Sequence, residues 1–195
     1  MLRFATVALL VAGATLSAAQ RGADDNVFPH TKPNGRATIE YKDGKVQAVA
    51  IYDYSQRNHS GAWLLMQIGV ALRERGTIER DNFSLVMPEG RKVPLATQEQ
   101  FLEDAAQIVK LRQNAGIFQR PVLTYFPESA DGEPLRWFAL PGDGAVRTLA
   151  VVAAEYDVVI GDLYFKSPTR RWEDGTYRLV FDNEKGHAEL PIRLE

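Results

Sequence analysis

The chain contains no cysteine. That excludes disulfides, a thiol nucleophile, a thiolate zinc site and a lipid-modified cysteine together. It does not lean on one sign of charge either. With 23 basic against 25 acidic residues the net charge is −2, and the basic face or domain of a nucleic-acid protein is missing. Past the first twenty residues no apolar stretch approaches the ~20 residues of a membrane-spanning helix. Repeats and low-complexity tracts are also absent. What is there, 45% hydrophobic and 25% charged over 195 residues, is ordinary globular usage in one domain. A chain of this size buries roughly 70% of its unfolded surface and needs no covalent staple.

The first residues read MLRFATVALLVAGATLSAAQ. Arg3 precedes an uncharged run that ends in Ser17-Ala18-Ala19, small residues at −3 and −1 of a cut before Gln20. A positive start, an apolar core and an A-x-A-like site are the three parts of a secretory signal. The competing reading, a buried core helix, lacks the polar face such helices usually carry. Removing residues 1–19 leaves 22 basic against 25 acidic residues, net −3. Export without disulfides fits a bacterial periplasmic or secreted protein better than an animal extracellular module. Two N-x-S sequons, at Asn58 and Asn82, matter only in a host that glycosylates.

Residues 20–35 are rich in Asp, Asn, Pro and Gly and read as a flexible leader to one domain over 36–195. Within that domain Asp43-Gly44 separates two strand-like arms, a hairpin signal of the type I′ kind. The second arm, Lys45 to Tyr54, leads to a polar loop over Ser55–Gly61. Ala62 to Leu72 (AWLLMQIGVAL) is long enough for a helix, but Gly69 and its surroundings favour a central strand. Phe83–Met87 and Arg91–Leu95 make a hairpin around Pro88-Glu89-Gly90. Thr97 with Gln100 is a capping box, and Phe101, Leu102, Ala105, Ile108, Val109 and Arg112 follow at helical spacing. That predicts one helix over about 97–115. Its stripe packs on a sheet, or else docks another protein. Further strands are expected at 121–126, 135–140, 146–154, 157–165, 176–182 and 187–194, with turns such as Asp131-Gly132 between them. Roughly ten strands and one inserted helix predict a mainly β, two-sheet sandwich.

Glu173-Asp174-Gly175-Thr176-Tyr177-Arg178-Leu179 resembles the tyrosine corner of immunoglobulin-like domains, whose pattern is Asp-x-Gly-x-Tyr-x-Cys. Glu173 stands where the family has Asp, and Leu179 where antibody domains have Cys. The resemblance implies an immunoglobulin-like sandwich without the disulfide, its Tyr177 hydroxyl bonded back to the upstream backbone. It covers about 20 residues and carries no activity with it.

Chemistry-bearing patterns are sparse. His30, His59 and His187 lie far apart and lack a helix-spaced partner, so no metal site is expected. Asp53, His59 and Ser60 share a loop region, but without a G-x-S-x-G elbow they read as a solvated loop. Asp24-Asp25, Asp131-x-Glu133 and Asp157 with Asp162 do not follow the calcium-loop pattern, which leaves a calcium bound between sandwich loops as the alternative. Gly142-x-Gly144 is too short for a phosphate loop, and no cofactor is expected. The candidate binding surface is Lys166 to Trp172, where Arg170 and Arg171 stand beside Trp172, residue types enriched at binding hot spots. The bland alternative is that Trp172 is core and the arginines are solvated.

The sequence therefore predicts an exported, non-catalytic β-sandwich that binds or scaffolds another envelope or extracellular component, most simply a protein. The alternative is a secreted hydrolase acting on polysaccharide or peptidoglycan, with carboxylates from separate strands. A third option is an assembly subunit that adds a strand to a partner.

Overall fold

A computed structural model describes residues 28–117, 121–144, 151–153 and 157–195. The signal-like segment and the first part of the leader lie outside these residues. So does most of the strand expected over 146–154.

The leader's end, Thr31–Pro33, is β1, paired antiparallel with β2 (Thr38–Lys42), which pairs in turn with β3 (Val46–Ile51). The β2–β3 turn is not the expected type I′. Neither Gly44 nor Lys45 has positive φ. Asp43 opens the turn instead, and its Oδ1 accepts the amides of Lys45 and Val46, each at 2.7 Å. The end of the expected second arm departs too: Asp53–Arg57 forms α1. The chain then enters β4 (Trp63–Leu72), continues through β5 (Gly76–Ile78) and a 3₁₀ turn at Arg80–Asn82, and makes the hairpin β6 (Phe83–Val86) and β7 (Lys92–Pro94).

The expected helix is present but broken. Thr97 caps α2 (Gln98–Glu103) through the full capping box, and α3 (Ala105–Gly116) follows beyond Asp104. At Asp104 the backbone leaves helical geometry (φ −102°, ψ 23°), and its carboxylate reaches sideways to Lys166 Nζ at 2.8 Å and Trp63 Nε1 at 3.0 Å. Residues 121–126 are not a strand. They hold a 3₁₀ turn, Val122–Tyr125, that lays Val122 and Phe126 on the sheet. The Asp131-Gly132 turn is corrected to a strand, β8 (Asp131–Pro134). β9 (Val151–Ala153) pairs with β5 as a two-stranded ribbon, and β10 (Asp157–Lys166), β11 (Gly175–Asn183) and β12 (Gly186–Leu194) complete the chain.

These strands form a six-stranded sheet, β1-β2-β3-β4-β10-β8, and a four-stranded sheet, β12-β11-β6-β7. All neighbours are antiparallel except β8 and β10. The core lies between the sheets. Ala48, Leu64, Met66, Ile68, Val70, Leu163 and Phe165 face Phe83, Leu85, Tyr177, Leu179, Phe181, Leu190 and Ile192 across it. The protein is thus a mainly β, two-sheet sandwich with a small helical insertion. Each buried Val, Leu, Ile, Phe or Met among them contributes about 1.5–3 kcal/mol from burial.

The central strands of the larger sheet are covered on their outer face as well. Phe101, Ile108, Leu111 and Ala115 of α2 and α3 pack on Trp63, Leu65 and Tyr164, while Val122 and Phe126 cover Val49, Ile51 and Val158. Double coverage explains why the 62–72 run is apolar at both parities. It also explains Gly69, where a Cβ would sit 2.7 Å from Phe126 Cε2.

Leu135–Leu140 is not a strand, although Leu135 and Trp137 alternate inward as one would. Its polar backbone atoms go elsewhere. The Leu135 amide donates to the Ile160 carbonyl, and Arg80 Nη1 donates to the Trp137 carbonyl at 3.1 Å. The Gln98 amide both donates to and accepts from the Ala139 backbone. Alternation here records burial without a partner strand.

Candidate functional site

The segment expected to bind divides in two. Trp172 is only 2% exposed; its Nε1 donates to the Ala62 carbonyl and its ring meets Tyr177 edge-on at 5.6 Å. It belongs to the core and offers no face to a partner. Arg170 and Arg171 are exposed. Arg171 Nε pairs with Glu173 at 2.6 Å, and Arg170 takes a left-handed backbone (φ 70°) in a turn held by Ser167 and Thr169. Without the indole the candidate surface reduces to the two exposed arginines, Arg171 already paired with Glu173.

The Tyr177 hydroxyl donates to the Glu173 carbonyl at 3.0 Å and accepts from the Glu173 amide at 3.2 Å. The corner bond inferred from the motif is therefore present. His59 stands apart from Ser60 chemistry. It is buried, with Nδ1 2.9 Å from the Gln56 carbonyl and Nε2 2.7 Å from Asp174, and it ties the α1–β4 loop to the β10–β11 turn. Among the described residues no group of three His, Asp or Glu side chains is placed to hold a metal ion.

The outer face of the larger sheet carries something the sequence reading did not single out. Beside α3 the sheet is left open as a cleft of about 850 Å³. Its floor includes Gln67 of β4 and Asp162 and Tyr164 of β10; Gln67 and Asp162 are direct cross-strand partners. Arg112 of α3 lines the cleft with Arg136, Phe138 and Asp143. Arg112 Nη1 bonds Asp143 Oδ2 at 2.6 Å, and the same oxygen accepts the Leu140 amide at 3.0 Å. Gly161 lets the wall close up: a Cβ there would lie 2.5 Å from Leu135 Cβ.

The two carboxyls are displaced in opposite directions. Burial pushes Asp162 above its ordinary value, opposed by the nearby Arg112 charge and a 3.5 Å contact from Tyr164 Oη. Asp143 is held below its ordinary value by the Leu140 amide and then the Arg112 guanidinium. Tyr164 is raised by burial and by the Asp162 charge. A cleft with convergent polar groups and displaced titrations is the usual anatomy of a binding or reactive site.

A signal for this floor does exist in the sequence. Gln67 is the polar interruption of AWLLMQIGVAL, and Asp162 is the acid inside VVIGDLYF. Arg112 was visible at helical spacing, but nothing local marks Arg136 or Asp143 as its neighbours. No protein-family model matches the chain, and neither a curated protein nor a solved structure matches it.

Proposed function

We propose that the protein is an exported, non-catalytic sandwich of the immunoglobulin-like kind that binds another envelope or extracellular component, and that the cleft over the larger sheet is where it binds. The observation that carries this reading is the cleft itself, with Asp162 and Gln67 on a rigid two-strand floor and Arg112 held across from them by Asp143. The corner bond of Tyr177 supports the kinship, and the signal-like first twenty residues support the location. Strand addition at the β12 edge is less well supported. Along the free edge of β12 the Arg193 amide is taken by the Tyr52 hydroxyl and the Glu195 amide by the Gln56 carbonyl, while Pro191, at the same parity, has no N–H to offer.

The hydrolase reading is favoured by one observation, the opposite displacement of Asp162 and Asp143 in one cleft, which is how acid and base roles are commonly separated. One experiment tests both readings. Mature wild-type, Asp162→Asn and Arg112→Gln proteins are cross-linked in the native envelope and medium, captured and read by mass spectrometry. The binding reading expects a reproducible partner lost in both variants, with neither melting below wild type. A partner retained by both, or captured by Arg170 and Arg171 instead, overturns the cleft. Cleavage of peptidoglycan or polysaccharide that Asp162→Asn abolishes replaces binding with hydrolysis.

A further inference from the structure

Resting on the reading of the cleft as a ligand site, we infer that its ligand is neutral and polyhydroxylated, an oligosaccharide, and that Asp162, Gln67 and Arg112 recognise vicinal hydroxyls on it. Charge balance is the first argument. Arg112 and Arg136 face Asp143 and Asp162, so the formal charges cancel, and Arg112 is already neutralised at 2.6 Å by Asp143. An ionic ligand meets no net formal charge there to attract it. The kinds of polar group are the second. A carboxylate accepts, a guanidinium donates and a carboxamide does both, each through two coplanar atoms. A hydroxyl both donates and accepts, so adjacent hydroxyls on one ring can satisfy all three, whereas a carboxylate or ammonium ligand would satisfy only one sign.

Position is the third argument. Asp162 is half-buried on a strand floor beneath aromatic and apolar walls that include Phe138, and burying a carboxyl there works against folding. Packing alone does not call for an acid at that point of an apolar strand. Phe138 is fixed in that wall by Phe101 and Tyr164 at 5.1 and 5.0 Å and by the Arg80 guanidinium 4.7 Å over its ring, so the wall keeps its shape. The volume, about 850 Å³, accommodates a ligand of more than one ring.

The test is an NMR titration of the mature protein with N-acetylchitotetraose, cellotetraose and maltotetraose, and with one acidic and one basic tetrapeptide. The inference expects at least one sugar to shift the backbone amides of Gln67, Asp162 and Tyr164 saturably. Asp162→Asn and Arg112→Gln should each weaken that sugar by about tenfold, the loss of a hydrogen bond to a charged group. Raising salt to about 0.5 M should change the affinity less than about twofold, since the ligand carries no charge to screen. A tetrapeptide that shifts those amides with salt-sensitive affinity, while no sugar does, overturns the sugar and leaves the cleft standing. Shifts confined to other faces overturn the cleft as well. No shift with any sugar overturns the inference, and well-dispersed spectra of both variants separate lost binding from lost folding.

Discussion

Tyr177 and Trp172 stand side by side in the core, each with a ring in apolar contact and a polar atom turned to backbone. The Tyr177 hydroxyl satisfies both the amide and the carbonyl of Glu173, so the turn before β11 is fastened by one side chain. Tyr177→Phe keeps the ring and strands both backbone groups. Urea denaturation should show a loss of about 1–3 kcal/mol, the cost of unsatisfied part-buried groups. A change too small to resolve would mean that water replaces the hydroxyl and that the corner contributes no stability. At this scale the sequence was half legible. Tyr177 was identifiable because the resemblance of residues 173–179 to a tyrosine corner implies a bond back to the upstream backbone. Trp172 was ambiguous because residue type fixes neither exposure nor partner, and only the position of Tyr177 beneath it decides that it is core.

Among the elements, the capping box agrees with the structure, the Asp43-Gly44 and Asp131-Gly132 turn signals do not hold as typed, and the readings that rested on alternation alone divide. The capping box at Thr97 and Gln100 is a contact between near neighbours and forms as expected. Leu135–Leu140 alternates as β12 does, but β12 has β11 to pair with, whereas the 135–140 backbone is satisfied largely by Arg80 and Gln98. Pairing is a long-range fact that alternation does not carry. Asp104 is similar: helical spacing runs through it, yet its carboxylate is drawn to Lys166 and Trp63, and the helix breaks there to let α2 and α3 each lie on the sheet. The Lys166 ammonium holds Asp104 below its ordinary value of 3.8, with the Trp63 N–H adding to it. An acid whose folded value is depressed stabilises above its unfolded value, and that contribution is lost as pH falls through the folded value. Asp104→Asn keeps an acceptor for Trp63 and removes the charge. It should be less stable than wild type by about 1 kcal/mol at pH 7, a modest figure because the pair is partly exposed. The difference should shrink once pH falls below 3.8. Denaturation midpoints at both pH values check this, and a difference that persists unchanged in acid would mean the ion pair is not its source.

At the scale of the whole molecule, the sandwich and the site draw on different parts of the sequence. The inter-sheet core accounts for one face of every long strand, and that pattern is why the fold class could be read at all. The outer face of the larger sheet is closed by α2 and α3 at one end and by the 121–126 turn at the other, and the cleft is what these two covers leave open. No local pattern states where two covers fail to meet. Asp162 lies in that gap, where burial works against its ionised form and Arg112 only partly offsets it. Its folded value is raised above the unfolded one, so the stability tied to its neutral form is fully present below the unfolded value and is lost as pH rises through the folded one. Asn is neutral throughout and escapes that loss. Asp162→Asn should therefore match wild type in acid and melt higher at pH 7, by about 2–4 °C if the penalty is about 1 kcal/mol. Thermal melts at the two pH values measure this directly. A variant that melts lower than wild type at pH 7 would make Asp162 a structural partner of Arg112, whereas one that melts higher and binds less well marks a charge kept at the expense of stability, as a recognition site requires.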